Sequence, residues 1–502
     1  MKPASAHHPA RFAALAASLL AACGGANEVV TAPPAVAVLT RVLPQETVAG
    51  NDELAAGLAL EVAHLLASSP DVRVRLASDP RAGREEPARQ VAQRTAADVV
   101  VWLELAGRER PVVSWSGDDV AGGVLSMPLS GSTPDLAAAP RAIAAAILRA
   151  LPYRRPAAAP RRPAWTPAPD EASYLAFLLA LGRSSHGDVD AAGRVALYDS
   201  LPDALDRYPP AAVEAGAALL DRAGQLGGAG PHYDVADAAI RRAFDLDPAY
   251  PPSRRLLASC HAKLGRTEAS VRLLREGLTD HPHFAPFHEQ LGYALRYAGL
   301  FEASLASYRR AQALDGSLET LVSTQDQITK SLIYLGDYRA ALDSHETMES
   351  FLKALGRTPD EKEWFYRGVI QLYAGDTAAA LNAFRRGEEL DSASVWSAFG
   401  RGYAGIARRD RTAVASVLGD LERMEVVDGE RHYRLVHLAA FLGEVDRALE
   451  HLETSIGEGF FAAPYIESDP LAAPLHSHPG FPPILEVARQ RHAAFASHFP
   501  EQ

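Results

Sequence analysis

The sequence predicts an α+β protein in which a small mixed α/β domain precedes an all-α superhelix of paired helices. Two observations support this fold class. Between residues 247 and 316, small residues recur every 34 positions, as at Gly265 and Gly299. Between residues 35 and 152, short β-branched runs alternate with stretches of helical apolar spacing. The fixed period is typical of stacked helix-turn-helix units, and the alternation is typical of an α/β domain.

Composition narrows the functional classes. A chain of 502 residues exceeds what one core usually holds, so two or three domains are expected. The net charge of −12 disfavours nonspecific nucleic-acid binding, which needs a basic face, and we predict no nucleic-acid partner. The two cysteines, Cys23 and Cys260, exclude a disulfide framework and a multi-cysteine metal site. Cys260 falls in a repeat, where a buried apolar role is expected.

The first 22 residues have the pattern of a signal peptide. The basic residues Lys2 and Arg11 precede an apolar stretch over residues 12–20, which is too short to span a bilayer. Residues 20–24 read LAACG. This run resembles the bacterial lipoprotein lipobox, which implies cleavage before Cys23 and lipidation of that cysteine. Gly24 in place of Asp implies, by the enteric sorting pattern, an outer-membrane protein facing the periplasm. We therefore predict a signal peptide over 1–22, a lipidated tether over 23–34 and no other membrane contact.

The elements of the α/β domain follow from apolar periodicity. Its predicted order is β-α-β-α-β-β-β-α, which indicates a mixed sheet with helices on one face. The strands are expected at residues 35–39, 71–76, 98–105, 112–115 and 123–129, and the helices near residues 54–66, 89–97 and 136–151.

Four runs in residues 35–152 resemble the TolB-like amino-terminal domain found ahead of repeat arrays in many bacterial proteins. They are VAVL at 36–39, LAAGL at 54–58, PDVRV at 70–74 and ADVV at 97–100. The resemblance implies a non-catalytic interaction module. A Pro/Arg-rich stretch over 153–169 then predicts an extended, solvated linker.

Residues 170–456 contain a repeat whose turn-closing positions are spaced by 34, 37, 39, 34 and 34 residues. Small or β-branched residues follow each turn after five positions, where two helices of a pair would approach closely. The pattern resembles the tetratricopeptide repeat, and it predicts about eight helix pairs in a right-handed superhelix. The turn-closing residues are Gly265, Gly299, Gly336, Gly375, Arg409 and Gly443.

The tetratricopeptide resemblance implies a concave groove lined by fixed positions on the first helix of each pair. Carried over by register, these positions are rich in aromatic residues with a few cations, which is a typical composition for protein recognition. Packing between helix pairs is the alternative role for each aromatic residue. The predicted groove residues are Tyr293, Arg296, Tyr297, Lys330, Tyr334, Phe365, Tyr373, Trp396, Phe399, Tyr403, Tyr433 and His437.

The remaining segments contain no motif that predicts catalysis, cofactor binding or metal binding. The tail over 457–502 is expected to cap the apolar end of the array. A G-x-G-x-x-G run at 400–405 falls inside a repeat helix, and His476 and His478 lack a third ligand nearby. We predict no catalytic, cofactor-binding or metal-binding residue.

Together these patterns predict a lipid-anchored scaffold of the cell envelope rather than an enzyme. Its protein or peptide partners would bind in the repeat groove and on the α/β domain, in envelope assembly or secretion. Two alternatives stay open from the sequence: a sensor that binds a small ligand or glycan in the aromatic groove, and an enzyme with a site in the α/β domain.

Overall fold

A computed structural model describes residues 33–40, 51–67, 69, 72–75, 87–106, 112–151, 170–185, 189–225, 230–424 and 428–499. The predicted signal peptide, Cys23 and the 153–169 linker lie outside these residues. Within them, a small mixed sheet with its helices precedes a tetratricopeptide-like solenoid, so the predicted fold class is confirmed.

The sheet in the described residues has the strand order β2-β1-β3-β4-β5. Strand β1 pairs in parallel with β2 and β3, whereas β4 runs antiparallel to β3 and β5. The predicted strand at 123–129 is wrong, because those residues form a loop and the fifth strand follows it. The bounds are β1 (Ala35–Thr40), β2 (Arg73–Arg75), β3 (Val99–Ala106), β4 (Val112–Asp119) and β5 (Ser130–Thr133).

Helices cover both faces of this sheet, which corrects the expectation of one covered face. Helices α1 (Asn51–Ala67) and α3 (Ala139–Ala150) pack on the face of Val36 and Val99, and α2 (Ala88–Thr95) packs on the face of Trp102. The reason is the strand order: β2 and β3 lie on opposite sides of β1. Right-handed crossovers in opposite directions place their helices on opposite faces.

Eight successive helix pairs follow in the described residues. Their bounds are α4 (Glu171–Ser184) with α5 (Ala191–Asp199), α6 (Pro209–Gln225) with α7 (Gly230–Leu246), α8 (Pro251–Lys263) with α9 (Thr267–Asp280), α10 (Ala285–Tyr297) with α11 (Phe301–Leu314), α12 (Leu318–Tyr334) with α13 (Tyr338–Ala354), α14 (Glu361–Tyr373) with α15 (Thr377–Leu390), α16 (Val395–Arg408) with α17 (Arg411–Arg423), and α18 (Gly429–Leu442) with α19 (Val445–Gly457). Two further helices close the described chain, α20 (Ala463–Ser468) and α21 (Phe481–His498).

The turns within the pairs are closed by residues in the left-handed backbone conformation, as their glycines predict. All six predicted turn-closing residues have a positive φ, from 58° at Arg409 to 85° at Gly375. Glycine adopts this left-handed conformation without a steric penalty, and Arg409 is the one position of the six that carries a side chain there. The small residues five positions later are fully buried, as at Ser270 and Ala341, which lets the paired helices approach closely.

The sheet and the solenoid share one apolar core, because α1 crosses α4 at very short range. A Cβ added to Gly57 would lie 1.8 Å from the carbonyl oxygen of Leu178, and one added to Gly182 would lie 1.7 Å from that of Glu53. The crossing requires a glycine on each helix, because each glycine faces the backbone of the other helix. The contact places Glu61 of α1 beside Tyr174 of α4 and beside Tyr208, which directly precedes α6.

A second contact joins the edge strand β2 to the end of α11. Arg73 Nη1 and Arg75 Nη2 donate hydrogen bonds to the carbonyl oxygen of Leu314, at 2.7 and 2.8 Å. Arg75 also pairs with Asp315 at 3.1 Å. Cations are favoured at a helix carboxyl end, where the last carbonyl groups lack partners within the helix. The sheet is therefore held by the solenoid at two separate places.

Across the described ranges, we find no helix that combines the length and the apolar character needed to cross a bilayer.

Candidate functional site

The candidate site is the concave interior of the solenoid, lined by the first helices of the last six pairs: α8, α10, α12, α14, α16 and α18. We call these the inner helices. The predicted groove residues lie on them, and the interior also contains residues 459–475, which we call the closing segment. This segment departs from the cap expected of the tail, because it enters the concave side. The last helix, α21, packs beside α19 and α20.

The closing segment enters where two loops touch. A Cβ added to Gly459 would lie 2.8 Å from Cα of Gly265, and both glycines have a positive φ. The Phe461 amide then donates a hydrogen bond to the carbonyl oxygen of Tyr297 at 3.0 Å. The loop after the last pair thus packs against the turn of the third pair and is hydrogen-bonded to the end of α10 in the fourth pair. These contacts fix the position of the segment along the groove.

Two aromatic side chains of the closing segment fill the interior. The Phe460 ring lies against the rings of Tyr297, Tyr334 and Tyr433, at centroid distances of 5.6, 5.7 and 5.3 Å. The Tyr465 ring lies 4.4 Å from that of Tyr334 and 5.4 Å from that of Tyr433. Such tilted and edge-on pairs add specific attraction to the burial of apolar area. Both side chains of the segment are buried.

A carboxylate follows them along the segment. Oδ2 of Asp469 lies 2.7 Å from Nε2 of His437, and Oδ1 accepts hydrogen bonds from Tyr373 Oη and the Leu471 amide, both at 2.9 Å. Burial favours a higher pKa for Asp469, but the charge and hydrogen bond of His437, with the other donors, hold that pKa below its ordinary value. The carboxylate is therefore ionised and well partnered inside the solenoid.

Tyr403, His437 and Asp469 form a line of contacts that looks like a catalytic arrangement. The Tyr403 hydroxyl lies 2.5 Å from Nδ1 of His437, whose other nitrogen faces the carboxylate. A hydroxyl, an imidazole and a carboxylate in this order can activate a nucleophile. Here all three side chains are at most 2% exposed, so they are closed to solvent while the closing segment is in place. The arrangement anchors the closing segment.

A network of charges joins α18 to the opposite inner helices. Glu430 accepts hydrogen bonds from Arg296 Nη1 at 2.8 Å and from Arg434 Nη2 at 3.2 Å. Burial tends to raise the pKa of Glu430, but Arg296 and Arg434 lower it strongly. Beside it, Asp428 lies 3.1 Å from Lys263 Nζ and accepts a hydrogen bond from Tyr297 Oη at 2.7 Å. The interior is thus closed by ion pairs as well as by aromatic packing.

A third acidic residue, Asp326 on α12, neutralises two lysines. Lys330 Nζ lies 2.9 Å and Lys362 Nζ 3.2 Å from its Oδ2 atom. Burial lowers the pKa of Lys330 to about 8, against the opposing attraction of Asp326. Lys330 is buried with its partner and does not present a free cation to the groove.

The structure divides the twelve predicted groove residues into three sets. Five touch the closing segment: Tyr297, Tyr334, Tyr373, Tyr433 and His437. Three belong to the charged interior: Tyr293, Arg296 and Lys330. Four pack among the inner helices: Phe365, Trp396, Phe399 and Tyr403.

In this structure the chain's own residues cover the lining of the predicted groove. Partner binding at the twelve residues stays a prediction, and it requires the closing segment to move. Sequence reasoning missed Phe460, Tyr465 and Asp469 as site residues. Their signal was present in the tail, where GFF at 459–461 and YIESD at 465–469 place aromatic and acidic residues near each other.

No protein-family model matches this chain, and no curated protein is similar to it in sequence. Solved structures of similar fold include a chain of the APC/C hetero-tetramer Cut9–Hcn1, at 13% identity and a TM-score of 0.41, with 65% of this chain and 61% of that chain covered. This chain therefore spans about three fifths of that one.

Two further structures with this fold are smaller. Pseudomonas aeruginosa pilF is 14% identical with a TM-score of 0.33, and 44% of this chain and 92% of that chain are covered. PilW, described as a widely conserved type IV pilus biogenesis factor, is 14% identical with a TM-score of 0.36, and the covered shares are 45% and 97%. At such identities and scores, neither partner nor function carries over.

Proposed function

We propose that this chain is a lipid-anchored scaffold of the bacterial cell envelope that binds protein partners inside its solenoid. One observation supports the binding role above all others: the concave interior holds a polypeptide segment, residues 459–475, through backbone, aromatic and carboxylate contacts. A surface that binds its own chain in this way has the chemistry to bind a similar segment of another protein.

The anchor in this proposal rests on the lipobox resemblance at residues 20–24. Lipidation of Cys23 would attach the protein to the outer membrane and leave the solenoid in the periplasm. The sheet and the solenoid would move together as one rigid body, because α1 and β2 both contact the repeats. The α/β domain would then orient the solenoid relative to the membrane and add a second surface for partners.

The closing segment makes partner binding conditional. It is tethered beside its site, so its effective concentration is on the order of millimolar or more. A partner must displace it, and the apparent affinity falls by the fraction of time that the site is free. We therefore propose a scaffold that is covered at rest and binds partners when the segment leaves. A compact ligand is the less favoured occupant, because the aromatic lining is covered by polypeptide.

Crosslinked capture from envelope extracts tests this proposal. The bait is the mature, full-length protein, compared with Asp469→Asn, which weakens the closing segment. Glu467→Gln is the matched control, since it makes the same chemical change at an exposed position of the same segment. We expect one protein to be enriched by Asp469→Asn over both other baits. Equal capture by all three would contradict binding in the interior.

A further inference from the structure

We propose that the interior site recognises a defined pattern in a partner polypeptide: an aromatic residue, a second aromatic residue five positions later, and a carboxylate four positions after that. This inference rests on the proposed scaffold function and names the partner segment that it would accept. The pattern is that of Phe460, Tyr465 and Asp469 in the closing segment, which is the one occupant whose contacts with the site are known.

The first position is set by a cage of three tyrosine rings from three inner helices. Tyr297 meets the Phe460 ring edge-on at 89°, while Tyr334 and Tyr433 meet it at 66° and 45°. Phe460 is fully buried. A flat ring fits between such partners, whereas a branched aliphatic side chain loses the edge-to-face contacts. The cage therefore selects an aromatic residue.

The second and third positions are linked by helix geometry. The α20 helix begins at Ala463 and ends at Ser468, and Tyr465 lies four residues before Asp469, on one helical face. Tyr373 bridges the two, because its hydroxyl lies 3.1 Å from that of Tyr465 and donates to Asp469 at 2.9 Å. A partner segment must therefore form a helical turn as it binds.

The carboxylate is selected by His437 and Tyr373. Both contact Asp469 in a place where the acid is 1% exposed. An amide in this position presents an NH₂ group to one of these two partners, and a buried donor that faces a donor is unfavourable. The site therefore distinguishes an acid from its amide.

One donor of the site is only weakly used by the closing segment. The buried Tyr433 hydroxyl makes no hydrogen bond of ordinary geometry to any described residue, although Asp469 lies near enough to add to the effect of burial in raising its pKa. A partner that offers a better-placed acceptor to this hydroxyl gains a stronger contact than the chain's own segment makes. This provides a physical route by which an external segment can displace a tethered one.

Labelled synthetic peptides spanning residues 457–478 test the pattern. The receptor is the full-length chain with Tyr465→Ala and Asp469→Asn, which weaken its own segment, and Asp469→Asn alone is the second receptor if the double variant fails to fold. We expect the native peptide to bind at least ten times more tightly than peptides with Asp469→Asn or Phe460→Leu. The Glu467→Gln peptide should bind like the native one.

The receptor side is tested in the same assay. Adding His437→Ala to the receptor should remove its preference for the native peptide over the Asp469→Asn peptide, as in a double-mutant cycle. Equal binding of these two peptides to the receptor with His437 intact, or no binding to a folded receptor, would overturn the proposal. A concentration-dependent dimer of the receptor without peptide would assign the site to a second copy and would overturn it too. If the peptides bind as expected but the envelope extracts yield no partner, the proposed scaffold function is contradicted. The preference of the site for this pattern would still stand.

Discussion

Nε2 of His437 on the last inner helix lies 2.7 Å from Oδ2 of Asp469 in the closing segment, and the two residues are 32 positions apart. His437 was expected to meet a partner, and its partner is the chain itself. The contact makes the interior of the solenoid a filled site, and it defines what must break before another polypeptide can enter.

Replacing Asp469 with Asn should loosen the closing segment without unfolding the solenoid. The amide keeps the size of the carboxylate and loses its charge-assisted hydrogen bonds to His437, so we expect the free energy of unfolding to fall by about 2 kcal/mol. Urea denaturation measures this change, and hydrogen exchange of residues 459–475 should accelerate. Glu467→Gln, which alters the exposed ion pair with Arg489, should change stability by less than about 0.5 kcal/mol. Equal effects of both variants would contradict the anchoring role.

Replacing Glu430 with Gln should be more damaging. It leaves the guanidinium groups of Arg296 and Arg434 buried without their shared carboxylate. Removing one partner of a buried ion pair typically costs about 3–5 kcal/mol, and we expect a loss in this range by urea denaturation. Asp420→Asn breaks the pair with Arg423, in which both side chains are more than half exposed. That control should cost less than about 1 kcal/mol.

Gly57→Ala should separate α1 from α4. The new Cβ would lie 1.8 Å from the Leu178 carbonyl oxygen, which is backbone and cannot yield, so we expect destabilisation of about 3 kcal/mol. Gly224→Ala is the matched control in α6, where the nearest described atom to the new Cβ is 3.9 Å away. That substitution should stabilise the helix by up to about 1 kcal/mol. Thermal unfolding of the two variants should therefore shift in opposite directions.

High pH should weaken the contact between the sheet and the solenoid. His64 on α1 lies 3.3 Å from Glu214 and 3.6 Å from Glu61. Burial lowers its pKa, but hydrogen bonds and charges of Glu214 and Glu61 outweigh this and raise the pKa from 6.5 to about 10. A raised histidine pKa stabilises the fold fully below 6.5, and the stabilisation is lost as pH rises towards 10. The slope is at most about 1.4 kcal/mol per pH unit.

The measurement is the difference in unfolding free energy between the native chain and His64→Gln from about pH 6 to about pH 10, the range that the shifted pKa spans. A difference is needed because Lys330, whose pKa is lowered to about 8, acts in the opposite direction above that pH. The difference should shrink steadily over this range. A constant difference would show that the imidazolium charge does not hold the contact.

Cys23→Ser should release the protein from the membrane. If the lipobox resemblance is correct, the serine variant cannot carry the lipid that would hold the protein at the membrane. Cell fractionation should move the protein from the membrane to the periplasmic fraction, and mass spectrometry should show loss of the acyl mass. Continued membrane association of the unlipidated variant would contradict the predicted anchor.

Local features of this fold were predictable because each depends on a few neighbouring residues. Gly265 and Gly443 terminate helices through their own backbone freedom, and the 34-residue interval identified Arg409 as their equivalent although it is not glycine. The strand β1 was evident from its β-branched run. The fifth strand was predicted at the wrong residues because its Ser/Gly-rich sequence carries almost no apolar pattern.

The content of the interior could not be predicted in this way. Which residues face Tyr334 depends on the curvature of the whole solenoid, which accumulates from a small rotation at each pair. Only that curvature brings Glu430 to Arg296 and the tail to Tyr297. The periodic pattern therefore predicted which residues of the inner helices line the interior, but it could not predict that the closing segment fills it.

The contact between Gly265 and Gly459 has a consequence for biosynthesis. The ribosome makes the inner helices before the closing segment, so the aromatic lining stays uncovered until residues 459–475 have been made. A polypeptide that stops before Gly459 would present Tyr297, Tyr334 and Tyr433 to water, and such surface promotes aggregation and degradation. The closing segment thus conceals an interior that the inner helices alone would leave exposed.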